Sequence, residues 1–345
     1  MSKPKNNLIP PMEARSVDEI PVGPEWQYEP KWDGFRCIAV RDGDSVELQS
    51  KSGKPLTRYF PEVVTMLLAL KAKRFTLDGE LVVPVDKVLS FDELLQRIHP
   101  AASRVMKLSE EHPATFIAFD LLQTERGISL LDVPLGERRP KLELFAKRFF
   151  AKQPHLRLSP ATTALKTAKQ WFKRVGGNLD GIIAKRLDMT YQSGNRDGMV
   201  KVKLLRTADC VVGGFRYAEG KSVVGSLLLG LYNDAGELDH VGFTSSFKQS
   251  ELAMLTKKLK PLIAPPGFTG KAPGGPSRWS TKRSAEWQPL KAKLVVEVQY
   301  DHFTGGRFRH GTALLRWRPD KAPRQCTVDQ VQQVGKKLLN LTKHF

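Results

Sequence analysis

The chain is poor in cysteine: Cys37, Cys210 and Cys326 are far apart, and none sits in a CxxC pair or beside a histidine at ligand spacing. Neither a disulfide framework nor a zinc site is therefore expected. Long apolar runs are also missing. No stretch approaches the roughly 18 apolar residues of a spanning helix, and the opening MSKPKNNLIPP has charge but no apolar centre of signal-peptide length. These absences predict a cytoplasmic protein with no membrane partner. Acidic residues are scarce relative to basic ones. Against 36 Asp plus Glu stand 55 Lys plus Arg, a formal charge of +19. A compact surface carrying that excess is best offset by a polyanion, so nucleic acid is the leading partner and anionic membrane the second. The excess implies no sequence preference, because phosphate attraction is largely sequence-independent.

What is present is globular. Hydrophobic residues make up 41% and charged residues 26%, which argues against wholesale disorder, and 345 residues suffice for two cored domains. No internal repeat is visible. The proline-rich opening as far as Pro24 wraps or trails. A strand from Phe35, the Asp42-Gly43 turn and the alternation of Val46, Leu48 and Ser50 predict a hairpin. Pro61 starts a helix, and Ser90 with Glu93 forms a capping-box signature for a second. TFIAFDLL reads as a buried strand. A helix from Thr163 carries Leu165, Ala168, Trp171, Phe172 and Val175 on one side and ends at Gly176-Gly177. GIIAK and VKVK are short strands. After Lys203 the texture changes to VVGGF, SLLLGLY and DHVGF, a helix around Leu252 to Leu259, a Pro/Gly loop, KLVVEVQY and TALLRW. Short strands with one helix suit a small barrel of the OB type. The fold class is α+β, with domains at 1–205 and 206–345 and a basic amphipathic C-terminal segment, VGKKLLNLTKHF.

The chemistry begins at EPKWDGFR, Glu29 to Arg36. It sets one lysine, Lys31, beside an acid, a glycine and an arginine; a lysine amine becomes a useful nucleophile when burial or neighbouring cations lower its pKa. Gly34 permits a tight turn or close approach of a bulky ligand. A KxDG alone is as readily a solvated turn. LDGE places Asp78 and Glu80 on one face of an extended segment, where a carboxylate can hold Mg²⁺. DGIIAK has Asp180 at one end and Lys185 at the other. VKVK puts Lys201 and Lys203 on one strand face, where they call for an anion between them. A nucleophilic lysine, carboxylates and further lysines are the equipment of phosphoryl or nucleotidyl transfer.

This ordered set resembles the covalent nucleotidyltransferases, and among them the compact bacterial ATP-dependent DNA ligases. The resemblance runs from about Trp26 to Lys321. It implies an ATP-grasp-like adenylation domain with mixed and antiparallel sheets, followed by an OB-fold barrel. KWDG resembles the nucleophile motif. Lys31 is then the adenylated residue, with Glu29 on the nucleotide and Arg36 near its ribose and later the nick phosphate. QSKSGKPLTRYFPE is similar to the family's "SRNG…FPE" stretch, with Lys51 where arginine is commoner. LDGE matches the third motif, and AFDLL the aromatic one, so that Phe119 stacks on adenine. DGIIAK resembles "EGxxxK" with Asp180 in place of glutamate, and VKVK resembles the lysine-pair motif with Met199 in place of tryptophan. RWRPDK resembles the C-terminal motif, which brings Arg318 and Lys321 to the nucleotide. Lys201 and Lys203 join Lys31 and Arg36 in catalysis, while Glu80 and Asp180 bind Mg²⁺, with Mn²⁺ as a substitute. The implied partner is nicked duplex DNA, with DNA-repair proteins as further partners, and the chain acts as a monomer.

Three other readings fit part of this pattern. An RNA-capping guanylyltransferase or an RNA ligase shares the lysine chemistry, and a DNA-binding module would use the lysines only on phosphates. The module fails to account for KWDG and LDGE together, since carboxylates in a DNA-contact face repel the backbone. In WSTKRSAEWQP, Trp279 and Trp287 fit DNA contact and barrel packing equally. KWDG begins only 31 residues in, which predicts a core enzyme without a large preceding DNA-binding domain.

Overall fold

The computed structural model describes residues 9–86, 88–173, 179–274 and 286–332. They divide into two compact units, which part at Leu204 and Leu205. The first unit contributes strands β1 (Arg15–Ser16), β2 (Trp26–Trp32), β3 (Phe35–Asp42), β4 (Ser45–Ser50), β5 (Arg74–Val82), β6 (Thr115–Gln123), β7 (Leu156–Leu158), β8 (Leu179–Arg186) and β9 (Met199–Lys203). Its helices are α1 (Pro61–Leu68), α2 (Phe91–Gln96), α3 (Ala102–Glu111), α4 (Leu135–Phe149) and α5 (Leu165–Lys173).

Two sheets organise this unit. One has the order β1-β9-β8-β2, the other β4-β3-β5-β6-β7. Chain direction is mixed: β1 runs parallel to β9 and β7 parallel to β6, while the remaining pairs are antiparallel. The hairpin of β3 and β4 turns at Gly43, whose φ of 60° suits glycine. Pro61 opens α1, and the Ser90 side chain caps α2 by accepting from the Glu93 amide. Val63, Leu67, Phe75, Leu77, Phe116 and Leu142 are fully buried in the main core between the second sheet and its helices. Each such side chain contributes roughly 1.5–3 kcal/mol. A smaller layer of Met12, Ile38, Leu122, Tyr191 and Met199 joins elements of the two sheets. Helix α5 covers the first sheet over Tyr28, Ile182, Ala184 and Val200. Val175 and the Gly176-Gly177 stop expected for that helix lie outside the described residues.

Of the two courses expected for the opening, the described residues from Ile9 wrap. Arg15 and Ser16 pair with Val200 and Lys201, and the Glu13 amide donates to the Asn195 carbonyl at 2.8 Å. Consecutive prolines, Pro10 and Pro11, favour an extended chain, and here that extended chain finds an open strand edge.

The second unit is a six-stranded antiparallel sheet with one α-helix among the described residues. Its strands are β10 (Arg206–Tyr217), β11 (Val224–Tyr232), β12 (Leu238–Thr244), β13 (Gln288–Pro289), β14 (Val295–Tyr300) and β15 (Ala313–Trp317). The order is β12-β11-β10-β14-β15, with β13 added beside β10. Helix α6 (Leu252–Leu259) packs Leu255 and Leu259 into its core. Trp287 meets Phe268 edge-on at 5.5 Å, which is packing. Trp279, part of the Pro/Gly loop and VGKKLLNLTKHF lie outside the described residues. The molecule as a whole is α+β, and no helix among the described residues is long and apolar enough to cross a membrane.

Candidate functional site

KWDGFR is where the chain leaves one sheet and enters the other. Lys31 lies near the end of β2, and Arg36 lies near the start of β3. Gly34, between them, is a close-approach position: a Cβ there would collide with the Leu81 carbonyl oxygen of β5. The close neighbour there is protein backbone, which fits the tight turn of the two readings of Gly34. The crossing opens a pocket of about 780 Å³, its mouth included, with Glu29, Lys31, Arg36, Lys51, Glu80 and Phe119 in its walls. Lys185 and Lys201 line it as well.

A β-bulge brings Asp180 to the nucleophile candidate. Leu179 pairs with Trp32 and Gly181 with Lys31, which leaves Asp180 as the extra residue of β8. Gly181, at φ 151°, lets β8 pass so close to the Val202 carbonyl that a side chain there would collide. Asp180 makes an ion pair with Lys31 and stands 3.7 Å from the Lys203 ammonium. The anion that the VKVK pattern called for is therefore supplied at Lys203 by the protein itself. Lys201 is half-buried, and its pKa is lowered by burial and then by the cations Lys31, Lys203, Lys51 and Arg196. Val200 and Val202, alternating with the lysines, are buried.

Arg36 is held by Asp78 through two bonds, Nε to Oδ1 at 2.5 Å and Nη2 to Oδ2 at 2.6 Å. Asp78 is fully buried and also accepts from the Tyr191 hydroxyl. It is committed to these partners. Burial works against the Arg36 charge, and Asp78 outweighs it, raising the pKa above the ordinary arginine value. The guanidinium lies over the Phe119 ring at 4.5 Å, and the Lys185 ammonium lies 4.7 Å from the same ring. Phe119 is thus a buried ring with two cations against it.

Glu29 is buried and accepts from Lys185 at 2.9 Å and from Gln27 at 2.8 Å. Glu80 is pushed up to about 7 by burial, which wins over the pull of Arg36 and Lys31. Lys51 is mostly exposed and pairs with Glu13 at 3.1 Å. Among the described residues there is no cluster of three or more His, Cys, Asp or Glu side chains able to hold a metal. Glu80 and Asp180 are separate carboxylates, which suits Mg²⁺ shared between one or two protein oxygens and substrate phosphate.

Arg318 and Lys321 lie in the second unit. Asp209, on β10, accepts from Arg318 Nη1 at 2.9 Å and from Lys321 Nζ at 2.7 Å, and Asp320 takes the remaining face of Arg318. The segment Pro11–Ala14 also lines the pocket, a role unforeseen from sequence, since neither charge nor periodicity marks it. Gln27 was missed too, although its place two residues before Glu29 on one strand put both side chains on the same face.

Residues 11–203 match the family model described as ATP dependent DNA ligase domain, and residues 220–321 match ATP dependent DNA ligase C terminal region. The chain is 45% identical over 339 residues to DNA ligase C2 of Mycolicibacterium smegmatis, covering 94% of each. It is 42% identical over 348 residues to DNA ligase C of Mycobacterium tuberculosis, covering 96% of each. A solved structure from a study of Lig E DNA ligases aligns with a TM-score of 0.57 at 17% identity, over 89% of this chain and 98% of that one. That last likeness is one of fold alone.

Proposed function

The chain belongs to the ATP-dependent DNA ligase family, and from that premise we propose how its residues divide the work of sealing a nick through an enzyme-bound AMP. The single observation that carries the assignment is the placement of Lys31. It stands at the crossing between sheets, against Asp180, in a pocket lined with further cations. In the first step the Lys31 amine attacks the α-phosphorus of ATP. A phosphorus–nitrogen bond forms, the bond to the bridging oxygen breaks, and pyrophosphate leaves. Asp180, already in contact with the ammonium, is the acceptor for its proton. AMP then passes to the 5′-phosphate of a nicked duplex, and the 3′-hydroxyl displaces it to close the strand.

Lys185, Lys201 and Lys203 draw charge from the phosphates, and Arg36 holds the ribose and later the nick phosphate. Glu29 and Phe119 border the base, and Lys51 stands at the mouth. Glu80 and Asp180 are the carboxylates for Mg²⁺, or Mn²⁺ in its place, which when bound neutralises phosphate charge. Residues 1–205 form the adenylation domain. Residues 206–345 form an OB-fold domain with a basic C-terminal segment, a reading supported by antiparallel strands with one α-helix among the described residues. From that domain Arg318 and Lys321 orient the leaving pyrophosphate. The protein acts as a monomer in bacterial DNA repair, with nicked duplex as its partner. Incubation with labelled ATP and Mg²⁺, mapping of the labelled residue and a chase with nicked DNA test this. Label on Lys31 that the nick removes is expected; stable label elsewhere overturns the assignment.

A further inference from the structure

We propose that Tyr191, in the turn between β8 and β9, is a positioning residue whose hydroxyl locks Arg36 to the Pro11–Ala14 wall of the pocket; this rests on the reading of that pocket as the ATP site. The bonds form a closed ring. The Tyr191 hydroxyl donates to Asp78 Oδ2 at 2.6 Å and accepts from the Met12 amide at 2.9 Å. Asp78 grips Arg36 on two atoms, and Arg36 Nη2 donates back to the Met12 carbonyl at 3.3 Å. Both backbone polar groups of Met12 are thus claimed by one circuit. Met12 and Arg36 line the pocket, whereas Tyr191 stands behind it.

The tyrosine is itself held from the rear. Its amide donates to the Leu131 carbonyl at 2.9 Å. The Arg138 guanidinium, bidentate on Asp120 at 2.6 and 3.0 Å, lies 5.6 Å from its ring. Burial, and then Asp78, keep the phenol well above its ordinary pKa, so the hydroxyl stays a donor at working pH. Without it, Asp78 loses one of its donors and the buried Met12 amide loses its partner. Arg36 is then free to swing off Phe119, and the Met12 wall is free to move with it. The effect falls on how well the pocket receives ATP, not on the reactivity of Lys31.

The test is Tyr191→Phe, which keeps the ring and deletes the hydroxyl. In self-adenylation the KM for ATP is expected to rise about tenfold, with kcat within about a factor of two. Combined with Arg36→Lys, the two effects should be non-additive, as expected of side chains in one circuit. An unchanged KM, or a fall only in kcat and active fraction, overturns the proposal. Should the variant fail to fold, hydrogen exchange at the Met12 amide of the unaltered chain decides: slowing on ATP saturation supports the lock, and unchanged exchange refutes it. Mapping the label in the unaltered chain separates the two failures. Label absent from Lys31 defeats the ATP-site reading, while label on Lys31 with an unchanged KM defeats the lock alone.

Discussion

The basic side chains of the pocket and those of RWRPDK are neutralised in opposite ways. In the pocket, Lys31, Lys185, Lys203 and Arg36 come from four stretches of chain and meet three separate carboxylates, Asp180, Glu29 and Asp78. In the second unit, Arg318 and Lys321 are three residues apart and share one carboxylate, Asp209. The pocket is built by strand crossing and bulging, which spreads its cations over three carboxylates on separate strands, Lys31 and Lys203 sharing Asp180. The other cluster meets at one strand position, Asp209, where Arg318 is also held by Asp320.

That contrast sets the largest expected effect. Lys31→Ala removes the nucleophile and should abolish covalent labelling by ATP, since Lys185 is held by Glu29 and Lys203 reaches Asp180 only at 3.7 Å. Label transferred to Lys185 in that variant, read by mass spectrometry, would show that the anchors do not restrict the chemistry. The second effect is smaller and more selective. Lys321→Ala should slow self-adenylation about a hundredfold while leaving the joining of pre-adenylated nicks near normal. Damage confined to that joining step would reverse the proposed division of labour between the clusters.

Legibility from sequence follows the same divide. Glu80 and the lysines of VKVK could be picked out because each lies on a strand whose period-two pattern fixes its face, and Lys31 and Arg36 because EPKWDGFR sets them beside an acid and a glycine. Asp180 was legible as a candidate but its reach was not, because a one-residue bulge between Leu179 and Gly181 sets where it points. Asp209 lies 109 residues from Arg318, and no local pattern announces so distant a pair. Helix α4 was missed for a related reason. In LGERRPKLELF, Arg138 and Arg139 are buried, Arg138 against Asp120. Propensity cannot foresee a buried arginine whose partner lies on another element.

A third expected effect concerns the one pocket carboxylate that burial penalises. Glu80 holds its proton more tightly in the folded chain, at about 7 against an ordinary 4.5. A raised acid costs stability once ionised, and the cost grows as pH rises from about 4.5 to 7. Glu80→Gln should therefore stabilise the ligand-free chain by roughly 1–3 kcal/mol at pH 8, with the gain vanishing as pH falls below 5, while ATP-dependent labelling drops. Denaturant midpoints at several pH values would read this, and a destabilised variant at pH 8 would contradict it.

The smallest expected effect tests whether the bulge and the aspartate are matched. The resemblance to related enzymes puts glutamate at position 180, yet here the bulge has already carried the backbone toward Lys31. The shorter side chain reaches Lys31 and stays within range of Lys203. Asp180→Glu adds one methylene inside a mostly buried site, and its carboxylate must fold back to keep both contacts. Off-rotamer folding of this kind costs about 0.5–1.5 kcal/mol, so self-adenylation should fall about threefold. Asp180→Asn keeps the length and loses the charge, and its loss should be much larger, on the order of a hundredfold. Rates for the two variants, measured side by side at saturating ATP, separate geometry from charge. If Asp180→Glu were faster than the unaltered chain, the bulge would not be compensating for the shorter side chain. If Asp180→Asn were the milder change, the carboxylate would serve Lys31 as a spacer and not as a base.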